Sequence, residues 1–167
     1  DRLAQRTLYE KYAPRMLSVC RQYIKDLQFA EDVMVKGFVK VFTKLESFRG
    51  EGNFEGWVRR IMVRESISYL RKKQFVVYDD EALSGTVPNE TASIMNVEHI
   101  QAMIDELPEG YKTVFLLYAV EGYKHHEIAN LLEISEGTSK SQLYKARKLL
   151  QENLKMTGFV PRSRSKN

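Results

Sequence analysis

Apolar residues recur at three- and four-residue steps along much of the chain, which is the spacing of amphipathic α-helices. We expect a kink or a break in the first helix at Pro14, because proline removes a backbone donor. A second helix is predicted from about Ala30 to Leu45 and a third from about Phe54 to Lys73. The glycines in residues 49–53 predict a loop between them. The stripe of the first helix comprises Leu8, Tyr12, Met16, Val19, Cys20, Tyr23 and Leu27.

The helical pattern is lost between about Phe75 and Asn96, where glycine, proline and short polar residues predict a linker. It resumes near Val97, and Pro108 can open the next helix, which is expected to run to about Glu121. Two more helices are predicted, at about 124–132 and 136–154. No segment shows sustained strand-like alternation, so the predicted fold is all-α: two small helical domains joined by a flexible acidic linker.

The 167 residues suit this division. The predicted parts are an N-terminal domain at 1–74, the linker at 75–96, a C-terminal domain at 97–155 and a basic tail at 156–167. No apolar run is long enough to span a bilayer, so we expect no membrane insertion. The chain shows no signal-peptide pattern, and a reducing cytoplasm fits its single cysteine, so a cytoplasmic location is expected. The single cysteine, Cys20, excludes an internal disulfide and a cysteine-based zinc site.

Charge is sorted into blocks, although the net charge is only +4. Residues 56–74 contain six basic residues and one acid, whereas residues 77–109 contain eight acids and no Lys or Arg. The sign turns basic again at 140–148. Two basic patches separated by an acidic stretch indicate two contacts with a polyanion.

Residues 127–143 have the pattern of a helix-turn-helix. Ala129 is small where two helices must approach closely, and Ser135 is a good N-cap. The helix that follows carries hydroxyls, an amide and cations, which can bind phosphates or base edges in the major groove. The alternative is an ordinary helical hairpin with solvated charges.

The third helix combines cations with aromatic residues and follows a glycine-rich loop that contains Phe48, Asn53 and Phe54. Cations on phosphates and rings on bases are typical of single-stranded nucleic-acid binding. Trp57 lies on the apolar stripe and is expected in the core. The excess of cations is harder to explain as a solvated face, which usually mixes signs.

Other constellations predict no chemistry. His125 and His126 suggest zinc, but Asn130 stands where a zincin needs its second histidine. Cys20 lies on an apolar face and is expected to be a buried thiol. The acidic run 79–81 falls in the linker and is expected to be solvated. We therefore predict no catalytic residue, no metal and no cofactor, and a chain that is not an enzyme.

Together these segments resemble an extracytoplasmic-function sigma factor of bacterial RNA polymerase. The resemblance covers about Leu8–Gln74 and Val97–Leu154, nearly the whole chain. Each motif is weak alone, but their order and spacing are specific. The motifs are residues 8–12, 30–33, 54–61 and 69–73, the pair Leu107-Pro108, and the helix-turn-helix with Tyr144-Lys145-Ala146-Arg147 at its end.

The resemblance implies a sigma factor that directs core RNA polymerase to specific promoters and helps to melt them. The helix starting at Ala30 would dock on the polymerase clamp, with Asp32, Val35, Lys36 and Val39 as contacts. The loop would capture a flipped-out base of the minus-ten element, and the third helix would bind its melted strand. The implied minus-ten residues are Phe48, Arg49, Asn53, Arg59, Arg60, Arg64, Arg71 and Lys72.

The helix-turn-helix would by the same resemblance enter the duplex minus-thirty-five element, while its hydrophobic surface would bind the polymerase flap. The linker would pass through the RNA exit region. An inhibitory anti-sigma factor is a further implied partner. The implied minus-thirty-five residues are Lys124, Ser135, Thr138, Ser139, Lys140, Ser141, Gln142, Lys145 and Arg147.

Three positions depart from the family's usual pattern. Polar residues (glutamine with an acid) are usual where Val35 and Lys36 stand, which bears on clamp contacts. Glu133 occupies a turn position where glycine commonly supplies positive φ, so some strain is expected there. Ser139 replaces a usually apolar residue, and we expect it to be exposed to DNA or to loosen the packing.

Two other functions are compatible with the residues. One is a stand-alone helix-turn-helix regulator whose N-terminal half senses a signal or dimerises, and which binds duplex DNA without polymerase. The other is a helical interaction module whose basic faces bind acidic proteins.

Overall fold

The structure, a computed structural model, describes residues 1–73 and 97–158. The chain divides after Val76 into two compact units, here called the N-terminal and the C-terminal unit. Within the described ranges all regular structure is helical, as predicted; the predicted linker and residues 159–167 of the predicted tail lie outside them. The helices are α1 (Arg2–Tyr23), α2 (Leu27–Thr43), α3 (Phe54–Lys73), α4 (Val97–Asp105), α5 (Glu109–Phe115), α6 (His125–Leu132) and α7 (Glu136–Met156), with a 3₁₀ turn at Leu45–Ser47 and a π-helical segment at Leu116–Val120.

In the N-terminal unit, α1 continues through Pro14, so no break occurs there. Pro14 is exposed, and the residues that follow it bury a stripe that includes Met16 and Cys20. Tertiary packing of an apolar face contributes more to a helix than one backbone hydrogen bond, so this packing accounts for the continuation of α1 beyond Pro14.

Helices α1, α2 and α3 pack on one another around a shared core. The side chain of Asp26 caps α2 by accepting a hydrogen bond from the Phe29 N–H at 3.1 Å. Gly37 lets α2 approach α3, because a Cβ at this position would overlap the buried Met62 side chain. The buried residues of α2 are Ala30, Val33, Met34, Gly37, Phe38 and Val41.

In the C-terminal unit, the helix that begins after Pro108 passes from α geometry into the π-helical segment and ends before Gly122, which has φ 78°. The extent matches the sequence prediction, but the π geometry was not predicted. Helix α7 packs against α5 and α6, and Ala146 lies in a cluster with Leu107 and Tyr111.

The turn of the helix-turn-helix has the predicted geometry. Glu133 adopts the left-handed conformation with φ 56° and ψ 44°. The Ser135 side chain accepts a hydrogen bond from the Thr138 N–H at 3.0 Å, which confirms it as the N-cap of α7. Ile128, Ala129 and Leu132 of α6 are buried, as the motif requires.

We expect Glu133→Gly to stabilise the C-terminal unit by about 0.5–1 kcal/mol, because a side chain in the left-handed region is strained and glycine is not. The free energy of unfolding of the full chain, measured in urea by circular dichroism, would test this. Glu152→Gly is the matched control: Glu152 is an exposed residue inside α7, where glycine should cost about 1 kcal/mol. A destabilised Glu133→Gly variant would contradict the expectation.

Candidate nucleic-acid interface

Helix α3 carries a stripe of cations on its outer face. Arg60, Arg64 and Arg71 are all exposed, and their spacing of four and seven residues places them on one side of the helix. At 1.5 Å per residue the stripe is about 16 Å long. Lys72 is also exposed, whereas Arg59 is half-buried. A row of exposed cations of this kind is the type of surface that attracts a polyanion.

Glu65 is the one acid within residues 56–74, and it pairs with a cation outside the stripe. Glu65 forms an ion pair with Lys40 of α2, on the side of α3 that faces its neighbour. Glu55, at the start of α3, pairs with Arg15 of α1 at 2.9 Å. Both carboxylates pair with cations on other helices and hold the helices together.

Three aromatic rings fix the loop that precedes α3. Phe48 lies with its ring centroid 5.3 Å from that of Phe54 and 5.4 Å from that of Trp57. Trp57, which was predicted to lie in the core, is half-buried within this group. The Asn53 side-chain oxygen accepts a hydrogen bond from the Glu55 N–H at 2.9 Å, so it caps α3. Arg49 is exposed in the same loop, where Gly50 and Gly52 have positive φ.

Helix α2 presents a different surface, which is mixed in character. Asp32 and Lys36 are exposed. Val35 and Val39 are also exposed, by 48% and 57%, although both are apolar. An exposed pair of valines between charged residues is suited to a protein partner rather than to nucleic acid.

Helix α7 carries the second cationic face. Lys140, Arg147 and Lys148 are exposed along it, and Lys145 is half-buried. Tyr144, four residues from both Lys140 and Lys148, is 68% exposed at the centre of this face. The sequence prediction did not include Tyr144, although its spacing of four residues from Lys140 and from Lys148 places it on the same face.

Ser139 and Gln142 are not on this face, and the expectation that they meet DNA is corrected here. Both are fully buried on the packed side of α7, in the same stripe as Leu143 and Ala146. Spacings of three, four and seven residues place all four on one side of the helix. Ser139 hydrogen-bonds to His125, with 2.8 Å between its Oγ and the histidine Nδ1.

The other polar residues predicted for this interface are accessible to different degrees. Lys124 and Ser135 are exposed, while Thr138 and Ser141 are half-buried. The Ser135 and Thr138 hydroxyls lie 2.9 Å apart, and the Ser141 hydroxyl donates to the Thr138 carbonyl. These hydroxyls form hydrogen bonds that organise the N-terminal end of α7.

Groups that could carry reaction chemistry are few in the described part of the chain. Burial raises the pKa of the Cys20 thiol to about 11, so it is protonated at neutral pH. Among residues 1–73 and 97–158, no group of three or more His, Cys, Asp or Glu side chains is arranged to hold a metal ion. The same residues contain no helix that is both long and apolar enough to cross a bilayer.

Comparison with known proteins assigns both units. Residues 8–76 match the family model for sigma-70 region 2, and residues 98–150 match that for sigma-70 region 4. The RNA polymerase sigma factor SigV of Bacillus subtilis is 32% identical over 133 residues, which cover 79% of this chain and 80% of the relative. The chain belongs to the extracytoplasmic-function sigma factors.

A second relative agrees with this membership, and a solved structure shares the fold. The ECF RNA polymerase sigma factor SigW of Bacillus subtilis is 25% identical over 170 residues, covering 93% of this chain and 91% of the relative. The sigma factor RpoE of Bartonella quintana, solved with the anti-sigma factor NepR, has the same fold at 22% identity, with a TM-score of 0.53, over 90% of this chain and 96% of that chain.

The sigma factor directs RNA polymerase in transcription initiation. The match to region 2 accounts for the N-terminal unit, which a stand-alone helix-turn-helix regulator or a general interaction module would leave unexplained. The functional question then becomes which exposed residues perform each contact.

Proposed function

We propose that the exposed stripe of α3 binds the melted strand of the minus-ten element. Arg60, Arg64 and Arg71 neutralise successive phosphates, and Lys72 extends their reach. The proposal is supported by the exposure of these cations and by the use of Glu65 elsewhere, in its pair with Lys40. Half-buried Arg59 serves at the margin of the stripe.

The loop before α3 receives a base flipped out of the duplex. Flipping costs a few kcal/mol of unstacking, which contacts in a pocket offset. Phe48 supplies a ring at the loop, and Arg49 supplies a cation next to it. Asn53 uses its oxygen to cap α3, which leaves its amide NH₂ to donate to the base. The packing of Phe48 on Phe54 and Trp57 keeps the loop in place.

Helix α7 reads the duplex minus-thirty-five element through its outer face. Lys140 and Arg147 bind phosphates or guanine edges, Lys145 and Lys124 lie beside them, and Tyr144 is placed to meet a thymine methyl or a phosphate. Ser135, Thr138 and Ser141 contribute at the start of the helix. Ser139 and Gln142 are excluded from the contact because they are buried.

The exposed surface of α2 docks on the polymerase clamp. Val35 and Val39 form its apolar centre, with Asp32 and Lys36 as charged neighbours. Apolar surface in the C-terminal unit binds the flap, and Val97, at 82% exposure, is a candidate for that contact. The bounds proposed for the two domains remain 1–74 and 97–155.

The protein acts in the cytoplasm as a non-enzymatic specificity subunit. An anti-sigma factor covers its polymerase-binding surfaces until a signal arrives. Support for this partner comes from the relative of the same fold that was solved with one. Co-purification with a small partner that blocks binding to core polymerase would support the assignment, and normal regulation in cells lacking any such partner would contradict it.

The observation that carries this proposal is one exposed cationic face in each unit. The test is reconstitution with core RNA polymerase. The full chain should pull down core and direct runoff transcription from a promoter selected by the holoenzyme out of a randomised duplex pool. Failure in both assays would reject the proposal. Tight binding of the chain to duplex DNA without core would instead favour a stand-alone regulator.

We expect Val39→Asp to weaken binding to core polymerase about 10-fold, because a buried unpaired carboxylate at the interface is costly. Leu3→Asp is the matched control: Leu3 is 72% exposed at the start of α1, outside the proposed surface. Fluorescence anisotropy of the labelled chain titrated with core would measure both. Equal affinities for the two variants would remove α2 from the clamp contact.

A further inference from the structure

A histidine and a serine meet across the helix-turn-helix, between its first helix and the DNA-facing helix. His125 is the first residue of α6, and its Nδ1 lies 2.8 Å from Ser139 Oγ on α7. Ser139 is fully buried, and a buried hydroxyl needs a hydrogen-bond partner to avoid a penalty. The bond therefore makes the placement of α7 depend on the position of His125.

The His125 ring also contacts a second neighbour. It stacks on Tyr118 of the π-helical segment, with ring centroids 4.6 Å apart and planes 21° apart. The guanidinium carbon of Arg147 lies 5.5 Å from the centroid of the same tyrosine ring. His125, Ser139, Tyr118 and Arg147 form what we call the junction cluster. The cluster joins α7 to α6 through Ser139, and α7 to the π-helical segment through Arg147, eight residues further along α7.

We propose that His125 is a positioning residue for promoter recognition, which sets the orientation of α7 through its hydrogen bond to Ser139 and its stack on Tyr118. The inference rests on the proposed contact between α7 and the minus-thirty-five element. Lys140 directly follows Ser139, and Arg147 is itself a member of the junction cluster. A shift of α7 at Ser139 would therefore displace the side chains that meet the DNA.

The charges around His125 make the cluster sensitive to pH. Burial, followed by the neighbouring Lys140 and, more weakly, Arg147, lowers the pKa of His125, while Glu136 opposes the shift. Tyr118 faces the ring from the π-helical segment, and exposed Lys124 and His126 flank it along the chain. The ring is neutral at pH 7.5. A proton added at lower pH places a further positive charge beside Lys140 and Arg147.

The pH effect has a definite sign. Because the folded chain favours the neutral ring, the stability contributed by the junction cluster is complete above the ordinary histidine pKa of about 6.5. It is lost as the pH falls through the lowered pKa of His125. A protonated ring also attracts any DNA, so discrimination between sequences reports on positioning better than total affinity does.

The experiment compares holoenzyme binding to two duplexes: the promoter selected by the wild-type holoenzyme, and the same duplex with its minus-thirty-five segment scrambled. The ratio of the two dissociation constants is the discrimination. His125→Phe keeps a ring on Tyr118 but removes the imidazole partner of the Ser139 hydroxyl. Ser139→Ala removes the hydroxyl and leaves the histidine. We expect each to lower discrimination about 10-fold.

Two further variants separate positioning from a general loss of structure. The double variant His125→Phe/Ser139→Ala places two apolar groups together and should recover most of the discrimination, because both partners of the hydrogen bond are then removed together. His126→Phe changes the exposed neighbour and should behave as the wild type. Between pH 7.5 and pH 5.5 the wild type should lose discrimination, and His125→Phe should show no such change.

Unchanged discrimination in both single variants would overturn the inference. So would a loss that follows the unfolded fraction measured by circular dichroism and is not recovered in the double variant. A wild-type holoenzyme that ignores the scrambled segment would instead overturn the assignment of α7 to the minus-thirty-five element, and the inference with it. The wild-type measurement therefore distinguishes the two failures.

Discussion

Replacing Arg60 and Arg64 together by alanine is expected to weaken promoter binding by the holoenzyme about 100-fold at low salt. Each arginine is exposed on the stripe of α3, and in the proposed contact each makes a charge-assisted hydrogen bond to a phosphate. Two such bonds contribute about 3 kcal/mol, which corresponds to the stated factor. The salt dependence should change as well, because each lost phosphate contact lowers the slope of log K against log salt by about 0.7 for a single strand.

The measurement is a titration of promoter DNA with holoenzyme at several salt concentrations. The double variant Arg2→Ala/Arg21→Ala is the matched control, since it removes the same charge from exposed positions of α1. The control should keep the wild-type slope even if its affinity falls slightly. Equal slopes for the wild type and the Arg60→Ala/Arg64→Ala variant would show that the stripe does not contact DNA.

Gly37→Ala is expected to destabilise the N-terminal unit by about 2 kcal/mol. The new methyl would overlap the Met62 sulfur and lie 2.9 Å from Met62 Cε. Met62 is fully buried, so its side chain must repack within the core or α2 must move away from α3. Overpacking of this kind costs about 1–3 kcal/mol, and the higher helix propensity of alanine offsets only part of that cost.

Urea unfolding followed by tryptophan fluorescence isolates this effect, because Trp57 is the only tryptophan of the chain and lies in the N-terminal unit. Gly56→Ala is the control of opposite sign: a Cβ there would meet only Asn53 Cβ, at 3.9 Å, so alanine should stabilise the unit by about 0.5 kcal/mol. Adding Met62→Ala to Gly37→Ala should cost less than the sum of the two changes. A stabilised Gly37→Ala variant would contradict the close approach of α2 and α3.

The sequence was most informative where local chemistry decides the structure. Helix α3 has the bounds that were predicted, because a glycine-containing loop precedes it and the apolar stripe continues without interruption. The positive φ of Glu133 and the cap at Ser135 were predicted for the same reason, since a helix-turn-helix requires both at fixed positions. The burial of Cys20 followed from its place on an apolar stripe.

Features that depend on distant partners were not predictable in the same way. The hydrogen bond of buried Ser139 to His125 joins residues fourteen apart, and no local pattern indicates it. The ion pair of Lys40 with Glu65 joins two helices, and nothing local to either residue indicates it. The continuation of α1 through Pro14 likewise depends on packing against α2 and α3.

The protonated, enclosed thiol of Cys20 has a practical consequence for following this protein at work. Maleimide dyes react with accessible thiolates, and this side chain offers neither accessibility nor a thiolate at neutral pH. A cysteine introduced at an exposed position, such as Glu152 or Gln28, can therefore be labelled selectively without first removing the native one. Single-molecule fluorescence of promoter opening is then possible on an otherwise unaltered chain.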